Sequence, residues 1–144
     1  MAIIEATGIV KHFDHGAIHA LDGVDLAIAE GEFVAIIGPS GSGKSTLLHM
    51  LGALDTPDEG SVVIDGADLA REKDLATFRR RTVGFVFQLH NLIPTLTAVE
   101  NVQIPLIEDG LSSAEREVRA TRLLERVGLA DRLDSLPTTL SGGE

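Results

Sequence analysis

The sequence contains no cysteine, tryptophan or tyrosine, and only five of its 144 residues are phenylalanine. Without cysteine the chain can form no disulfide framework, no cysteine-ligated zinc site and no thiol nucleophile. No apolar run approaches the ~18 residues that a membrane-spanning helix requires. The first residues lack a basic region followed by an apolar stretch, so no signal peptide is expected. We therefore expect a cytoplasmic protein that does not insert into a membrane itself.

Basic residues are scarce beside acidic ones, with 12 Lys and Arg against 22 Asp and Glu and a net charge of −10. This balance argues against nucleic acid as a partner. The short basic run at residues 79–81 is interpreted as the solvated end of a helix. None of the five histidines has the spacing of a metal site, and we interpret them as surface or packing residues. They are His12, His15, His19, His49 and His90.

Strand patterns dominate the first third of the chain. Residues 3–13 and 17–29 are predicted as β structure, and residues 61–65 as a short strand that ends in the hairpin-type pair Asp65-Gly66. Residues 33–37 form an unbroken apolar run, which predicts a strand covered on both faces. Residues 82–88 are predicted to return to apolar β structure. These segments predict a sheet that begins the fold.

Helical patterns alternate with the strands and then prevail between residues 66 and 140. Residues 44–54 and 74–81 are predicted as helices, and Ser/Thr-x-x-Glu capping boxes at Thr97–Glu100 and Ser112–Glu115 predict two more. Pro105 should kink or end the first of these two, and Gly128 should close the second. The stripes expected to face the core are Leu47, Met50, Leu51 and Leu54; Leu75 and Phe78; and Ala120, Leu123, Leu124 and Val127. Interleaved strands and helices predict an α/β fold.

The clearest motif is a glycine-rich loop between the apolar run and the first helix. It fits GxxxxGK(S/T), the P-loop pattern, at Gly38, Pro39, Ser40, Gly41, Ser42, Gly43, Lys44 and Ser45, and Thr46 follows it. Glycines leave room for a phosphate to approach backbone N–H groups, and the N-terminus of the following helix favours anions. Lys44 would pair with the β- and γ-phosphates, Thr46 would donate to the α-phosphate, and Ser45 would ligate Mg²⁺.

Two further motifs follow the P-loop in a fixed order. Gln88 ends the apolar run 82–88, and Leu140 precedes Ser141, Gly142, Gly143 and Glu144. With these three motifs the chain resembles an ATP-binding-cassette (ABC) ATPase over almost its whole length. The resemblance implies an ABC-type P-loop NTPase core with an N-terminal antiparallel β subdomain and a helical subdomain. It divides residues 1–144 into a β and P-loop region (1–65), a Q-loop and helical region (66–140) and the signature motif (140–144).

The resemblance also implies roles for individual residues, with ATP and Mg²⁺ as ligands. Gln88 would contact Mg²⁺ and the attacking water, and Phe13 would stack on adenine in place of the usual tyrosine. Ser141, Gly142 and Gly143 would contact the γ-phosphate held by the other subunit of a homodimer. A transmembrane permease would be the second partner and would hold the ATPase at the inner face of the membrane.

The loops at residues 54–60 and 85–102 resemble one subgroup, the ATPases of lipoprotein-release and macrolide-export systems. In the family an apolar strand ending in Asp-Glu (Walker B) and a switch histidine follow the signature, and residues 1–144 contain neither. We therefore expect a fragment of a longer ATPase, inactive and poorly folded alone. Two alternatives stay open: a soluble ABC ATPase that serves no transporter, and a module that binds ATP without turnover.

Overall fold

In the computed structural model, which describes residues 2–87 and 91–144, the chain divides into two units. The first unit is Met1–Phe85 and the second is Val86–Glu144. Each unit has its own hydrophobic core. No helix in the described ranges is both long and apolar enough to cross a membrane.

An antiparallel sheet of four strands forms the first unit. The strands are β1 (Ala2–Phe13), β2 (Ile18–Ala29), β3 (Glu59–Ile64) and β4 (Ala67–Asp68), in the order β2-β1-β3-β4. In β2, more buried and more exposed residues alternate from Val24 to Ala29, as expected for a sheet with one covered face. Asp65 and Gly66 both have positive φ, and they form the two-residue hairpin between β3 and β4 that the sequence predicts.

Helix α1 (Lys44–Leu51) contributes to the core of the first unit together with β1, β2 and β3. Ile9 and Met50 are completely buried there, and each contributes roughly 1.5–3 kcal/mol of hydrophobic stabilisation. The buried members of this core are Ala6, Ile9, Leu21, Met50, Leu51, Ala53, Val62, Ile64 and Leu69. The predicted stripe is thus confirmed at Met50 and Leu51, whereas Leu54 lies beyond the end of α1 and is partly exposed.

Helix α2 (Leu75–Thr82) also belongs to the first unit. Asp74 caps it by accepting hydrogen bonds from the N–H groups of Ala76 and Thr77, each at 3.1 Å. Leu75 and Phe78 pack against the core, as predicted. At the other end of the helix, Arg79 donates to the carbonyl oxygen of Ala53 at 2.8 Å. This arginine therefore contacts the protein and, contrary to the prediction, is not fully solvated.

The second unit is built from α3 (Ala98–Gln103) and α4 (Ser113–Arg126), joined through a 3₁₀ segment, Ile104–Asp109. Both predicted capping boxes are present, with reciprocal bonds between Thr97 and Glu100 and between Ser112 and Glu115. Pro105 lies in the first turn of the 3₁₀ segment, so the α-helix ends before it, as predicted. The buried core of this unit is Ala98, Val99, Ala120 and Leu124.

Some predicted elements are wrong. The apolar runs at residues 33–37 and 82–87 form no strand within the described ranges, and Thr82 belongs to α2. Phe33 is 96% exposed and Ile37 is 90% exposed. A strand requires a ladder of hydrogen bonds to a neighbouring backbone, which an apolar run alone does not supply. Leu123 and Val127 are exposed as well; Val127 is the C-cap of α4, where the helical period no longer applies.

The side chain of Asn101 on α3 forms hydrogen bonds with the backbone of the segment that precedes the helix, residues 93–97. Its Nδ2 donates to the carbonyl oxygens of Ile93, Leu96 and Thr97 at 3.0–3.1 Å. Its Oδ1 accepts from the N–H of Ile93 at 2.8 Å. One amide side chain therefore satisfies four backbone groups of a loop that has no regular structure of its own.

We predict that Asn101→Ala lowers the free energy of unfolding by about 1–3 kcal/mol, because four hydrogen bonds to the backbone are lost. Asn101→Asp, which keeps an acceptor for Ile93 but loses the donors, should also destabilise. Chemical denaturation measures both. The control is Glu117→Ala on the exposed surface of α4, expected to change stability by less than ~0.5 kcal/mol. If Asn101→Ala is no less stable than this control, the assignment is wrong.

Candidate functional site

The P-loop residues form a turn that leads directly into α1. The N–H of Ser42 donates to the carbonyl oxygen of Pro39 at 3.3 Å, and Gly41 and Gly43 have φ of +80° and +83°. Residues other than glycine rarely adopt such angles. A Cβ on Gly38 would come within 2.7 Å of the Ser42 hydroxyl. Gly41 and Gly43 are therefore required by the backbone path itself, whereas a side chain at Gly38 would require the Ser42 hydroxyl to move.

Gly43 fixes the start of α1 against the sheet. It is the N-cap residue of the helix, and a Cβ at this position would overlap the carbonyl oxygen of Ala20 on β2. The same Cβ would lie 3.2 Å from a methyl group of Leu21. The backbone of the P-loop and the backbone of β2 are thus in direct contact. This contact fixes where the N-terminus of α1 lies.

The N-terminus of α1 carries no side-chain cap. The first N–H groups of a helix have no partner within it, and the helix dipole adds partial positive charge there. Lys44 folds back over the loop, with its Nζ 2.6 Å from the carbonyl oxygen of Pro39. N–H groups, dipole and ammonium together form a cradle suited to a phosphate. The structure thus brings residues 38–46 together as one site.

The magnesium ligand predicted within the P-loop is Ser45, in the first turn of α1. Its side chain is exposed and makes no hydrogen bond to any other described residue. A free hydroxyl beside a phosphate cradle fits Mg²⁺, which takes one or two protein oxygens and keeps several waters. The second predicted ligand, Gln88, lies outside the described residues. A magnesium ion held by these residues would supply positive charge against that of the phosphates.

Phe13, the predicted adenine platform, is the last residue of β1 and is 41% exposed. The Nζ of Lys11 lies over its ring at 5.6 Å from the centroid. Beside it the rings of His12 and His19 are in contact, with centroids 4.2 Å apart. Part of the Phe13 surface is therefore available for stacking. Sequence reasoning missed Lys11, since a lysine in a strand gives no local sign of being buried.

The signature residues form a turn in the second unit. Glu144 donates its backbone N–H to the carbonyl oxygen of Ser141 at 3.1 Å, and its Oε2 accepts from the N–H of Ser141 at 2.8 Å. Its Oε1 pairs with Nε of Arg132 at 2.9 Å. The backbone N–H of Ser141, its hydroxyl and Arg132 lower the pKa of the Glu144 carboxyl from 4.5 to about 2. The turn is held by one carboxylate.

Comparison with known proteins decides the family. The model of the ABC transporter family matches residues 21–144, which include the P-loop, Gln88 and the signature. The chain belongs to the ABC transporter family. Among solved structures, a dimeric ATP-binding cassette in a post-hydrolysis state, bound to ADP and Pi, is 45% identical with a TM-score of 0.85 over 96% of this chain. The fold is therefore that of a P-loop ABC ATPase core, as predicted.

Curated relatives include the proteins of the predicted subgroup. A lipoprotein-releasing system ATP-binding protein, LolD, from Bacteroides thetaiotaomicron is 50% identical over 99% of this chain. A macrolide export ATP-binding/permease protein, MacB, from Brucella abortus is 53% identical over 99% of this chain. The chain spans 65% of the LolD sequence, 23% of the MacB sequence and 63% of the solved structure. The resemblance to the lipoprotein-release and macrolide-export subgroup is confirmed.

We predict that Gly43→Ala destabilises the first unit more than Gly41→Ala does. Both glycines have positive φ, which costs alanine about 1–2 kcal/mol. Only at Gly43 would the added Cβ also meet backbone, that of Ala20, whereas the space around Gly41 is open. Thermal unfolding of the two variants measures the difference. Equal destabilisation would show that the contact with β2 is not tight.

We also predict that the signature turn survives mild acid. Because the pKa of Glu144 is about 2 in the folded chain and 4.5 ordinarily, the stabilisation by its carboxylate is complete above the ordinary value. It is lost as pH falls through the folded value. The amide shift of Ser141, followed by NMR, should titrate with a midpoint near the folded value, and Arg132→Gln should raise that midpoint. A wild-type midpoint near 4.5 would contradict the turn geometry.

Proposed function

We propose that residues 38–46 bind the phosphates of MgATP. The observation that carries this proposal is the uncapped N-terminus of α1, reached through a glycine loop with Lys44 folded over it. Phosphate oxygens need several N–H donors and a cation at close range, and this arrangement offers both. Lys44 would leave the carbonyl oxygen of Pro39 for the β- and γ-phosphates, a stronger, charge-assisted partner.

Each remaining site residue has a proposed part in the same complex. Phe13 stacks on adenine, Thr46 donates to the α-phosphate, and Ser45 with Gln88 ligates Mg²⁺. Ser141, Gly142 and Gly143 contact the γ-phosphate of the nucleotide held by a second copy of the chain. The turn Ser141–Glu144 supports this part, because its two glycines are exposed and carry no Cβ that would keep an anion away from the turn.

We propose that the whole protein is the ATP-hydrolysing subunit of a transporter, which dimerises on binding ATP and drives a membrane permease. The names of LolD and MacB, a lipoprotein-releasing and a macrolide-export protein, support an export or extraction system. The dimeric cassette with ADP and Pi supports dimerisation coupled to hydrolysis. The subunit would then lie at the cytoplasmic face of the membrane, held there by the permease.

Binding and turnover make different demands on the sequence. Hydrolysis needs a group that orients or activates water, besides the phosphate cradle and Mg²⁺. Residues 1–144 contain no apolar run that ends in Asp-Glu. We therefore propose that these residues supply nucleotide binding and that turnover requires a carboxylate they do not contain.

We predict that Lys44→Ala weakens binding of fluorescent MgATP at least tenfold, because the ammonium that faces the phosphates is lost. Lys73→Ala is the matched control, since it removes the same charge from an exposed residue that is not part of the P-loop. Fluorescence titration measures both variants. The chain of residues 1–144 should bind MgATP and release no phosphate above background.

The outcomes separate the two halves of the proposal. Unchanged affinity in Lys44→Ala would contradict the phosphate site. Phosphate release by residues 1–144 that Lys44→Ala abolishes would show that the water-activating group lies within them, contrary to the proposal on turnover.

A further inference from the structure

Lys11 is the one buried charged residue in the described part of the chain, with 9% of the residue's surface exposed. Its Nζ lies 3.1 Å from Oδ2 of Asp55 and 3.5 Å from Oδ1 of Asp58. It also donates to the carbonyl oxygen of Thr56 at 2.8 Å. The ammonium is thus held from three points by the loop that follows α1.

The backbone on either side of Lys11 is tied to the same loop. The N–H of Asp58 donates to the carbonyl oxygen of Val10 at 2.9 Å, and the N–H of His12 donates to the carboxylate of Asp58 at 2.7 Å. This bond from His12, and to a smaller extent Lys11, lowers the pKa of the Asp58 carboxyl. Three consecutive residues of β1 therefore hold one short loop.

That loop is in turn fixed to the C-terminal end of α1. The N–H groups of Leu54 and Asp55 donate to the carbonyl oxygen of His49 at 2.9 and 3.3 Å. Helix α1 begins in the P-loop and ends at this point, a rigid element of eight residues and ~12 Å. The end of β1 and the phosphate cradle are thus connected through one helix.

This connection affects Phe13 through the ammonium group of Lys11. It lies two positions after Lys11, on the same face of β1, and the Lys11 ammonium lies over its ring. Because two carboxylates and a carbonyl fix the ammonium, the ring has a fixed cation against it. A buried ion pair seldom stabilises a fold more than apolar residues of similar size would. Stability alone therefore does not explain why a lysine occupies this position.

We propose that Lys11 is a positioning residue of the nucleotide site, which holds the Phe13 ring at a fixed place relative to α1 and its P-loop. This inference rests on the proposed function, because it takes Phe13 as the surface on which adenine stacks. Lys11 contributes to recognition of the base and not to binding of the phosphates.

The test compares two ligands, MgATP and inorganic tripolyphosphate, on the full chain by calorimetry. Lys11→Met should weaken MgATP binding about fivefold, the worth of one aromatic stacking contact, and should leave tripolyphosphate binding unchanged. Methionine keeps the apolar stem, and the carboxylates it leaves behind are partly exposed to water. Lys73→Met, the control on the exposed surface, should change neither ligand.

A double-variant cycle shows whether Lys11 acts through Phe13. In a Phe13→Ala chain, adding Lys11→Met should cost no further MgATP affinity, because the platform is already gone. Three results would each overturn the inference: fully additive losses of MgATP affinity in the double variant, an equal loss of affinity for both ligands in Lys11→Met, or no loss of MgATP affinity in Lys11→Met. If Lys11→Met does not fold, Asp58→Asn takes its place, because it weakens the ion pair at unchanged shape; its loss should be smaller and again confined to MgATP.

Failure of the proposed function can be distinguished from failure of the inference on Lys11. If the wild-type chain binds neither ligand, or if Lys44→Ala keeps both, the phosphate site is wrong and the inference on Lys11 falls with it. If the wild type binds both ligands and Lys11→Met keeps their affinity ratio, only the inference on Lys11 is wrong.

Discussion

The close approach of Gly43 to the carbonyl oxygen of Ala20 is the constraint on which the first unit depends. No side chain separates α1 from β2 at this point, so a backbone contact limits how the N-terminus of the helix can lie. Backbone contact is less variable than packing through side chains, which can change rotamer. Everything that the site needs follows from this placement: the turn of the P-loop, the uncapped N–H groups and the position of Lys44.

A chain of net charge −10 can still bind an anion, because the interaction of the anion with each charge depends on the distance between them. Exposed charges separated by more than about 8–10 Å are largely screened in physiological salt. A phosphate in the P-loop would lie within hydrogen-bond range of N–H groups and of Lys44, and these short-range terms are screened far less. A net charge of −10 therefore does not prevent one nucleotide from being held locally.

Features that a few neighbouring residues determine were predictable from the sequence. The two capping boxes, the Asp65-Gly66 hairpin and the glycine loop each depend on residues within a few positions of one another. The apolar run 33–37 was predicted wrongly, because strand formation depends on a partner backbone that local pattern does not reveal. Lys11 lay beyond prediction for the same reason: its partners, Asp55 and Asp58, are more than 40 positions away.

The signature turn uses the same local chemistry as the starts of α3 and α4. In all three places a glutamate accepts a hydrogen bond from the N–H of a serine or threonine three residues earlier. An unpaired carboxylate in this turn would repel the γ-phosphate that we propose to contact it. Arg132 pairs with Glu144 at 2.9 Å and cancels that charge. The glutamate can thus order the turn through the N–H of Ser141 while its own charge is paired with Arg132.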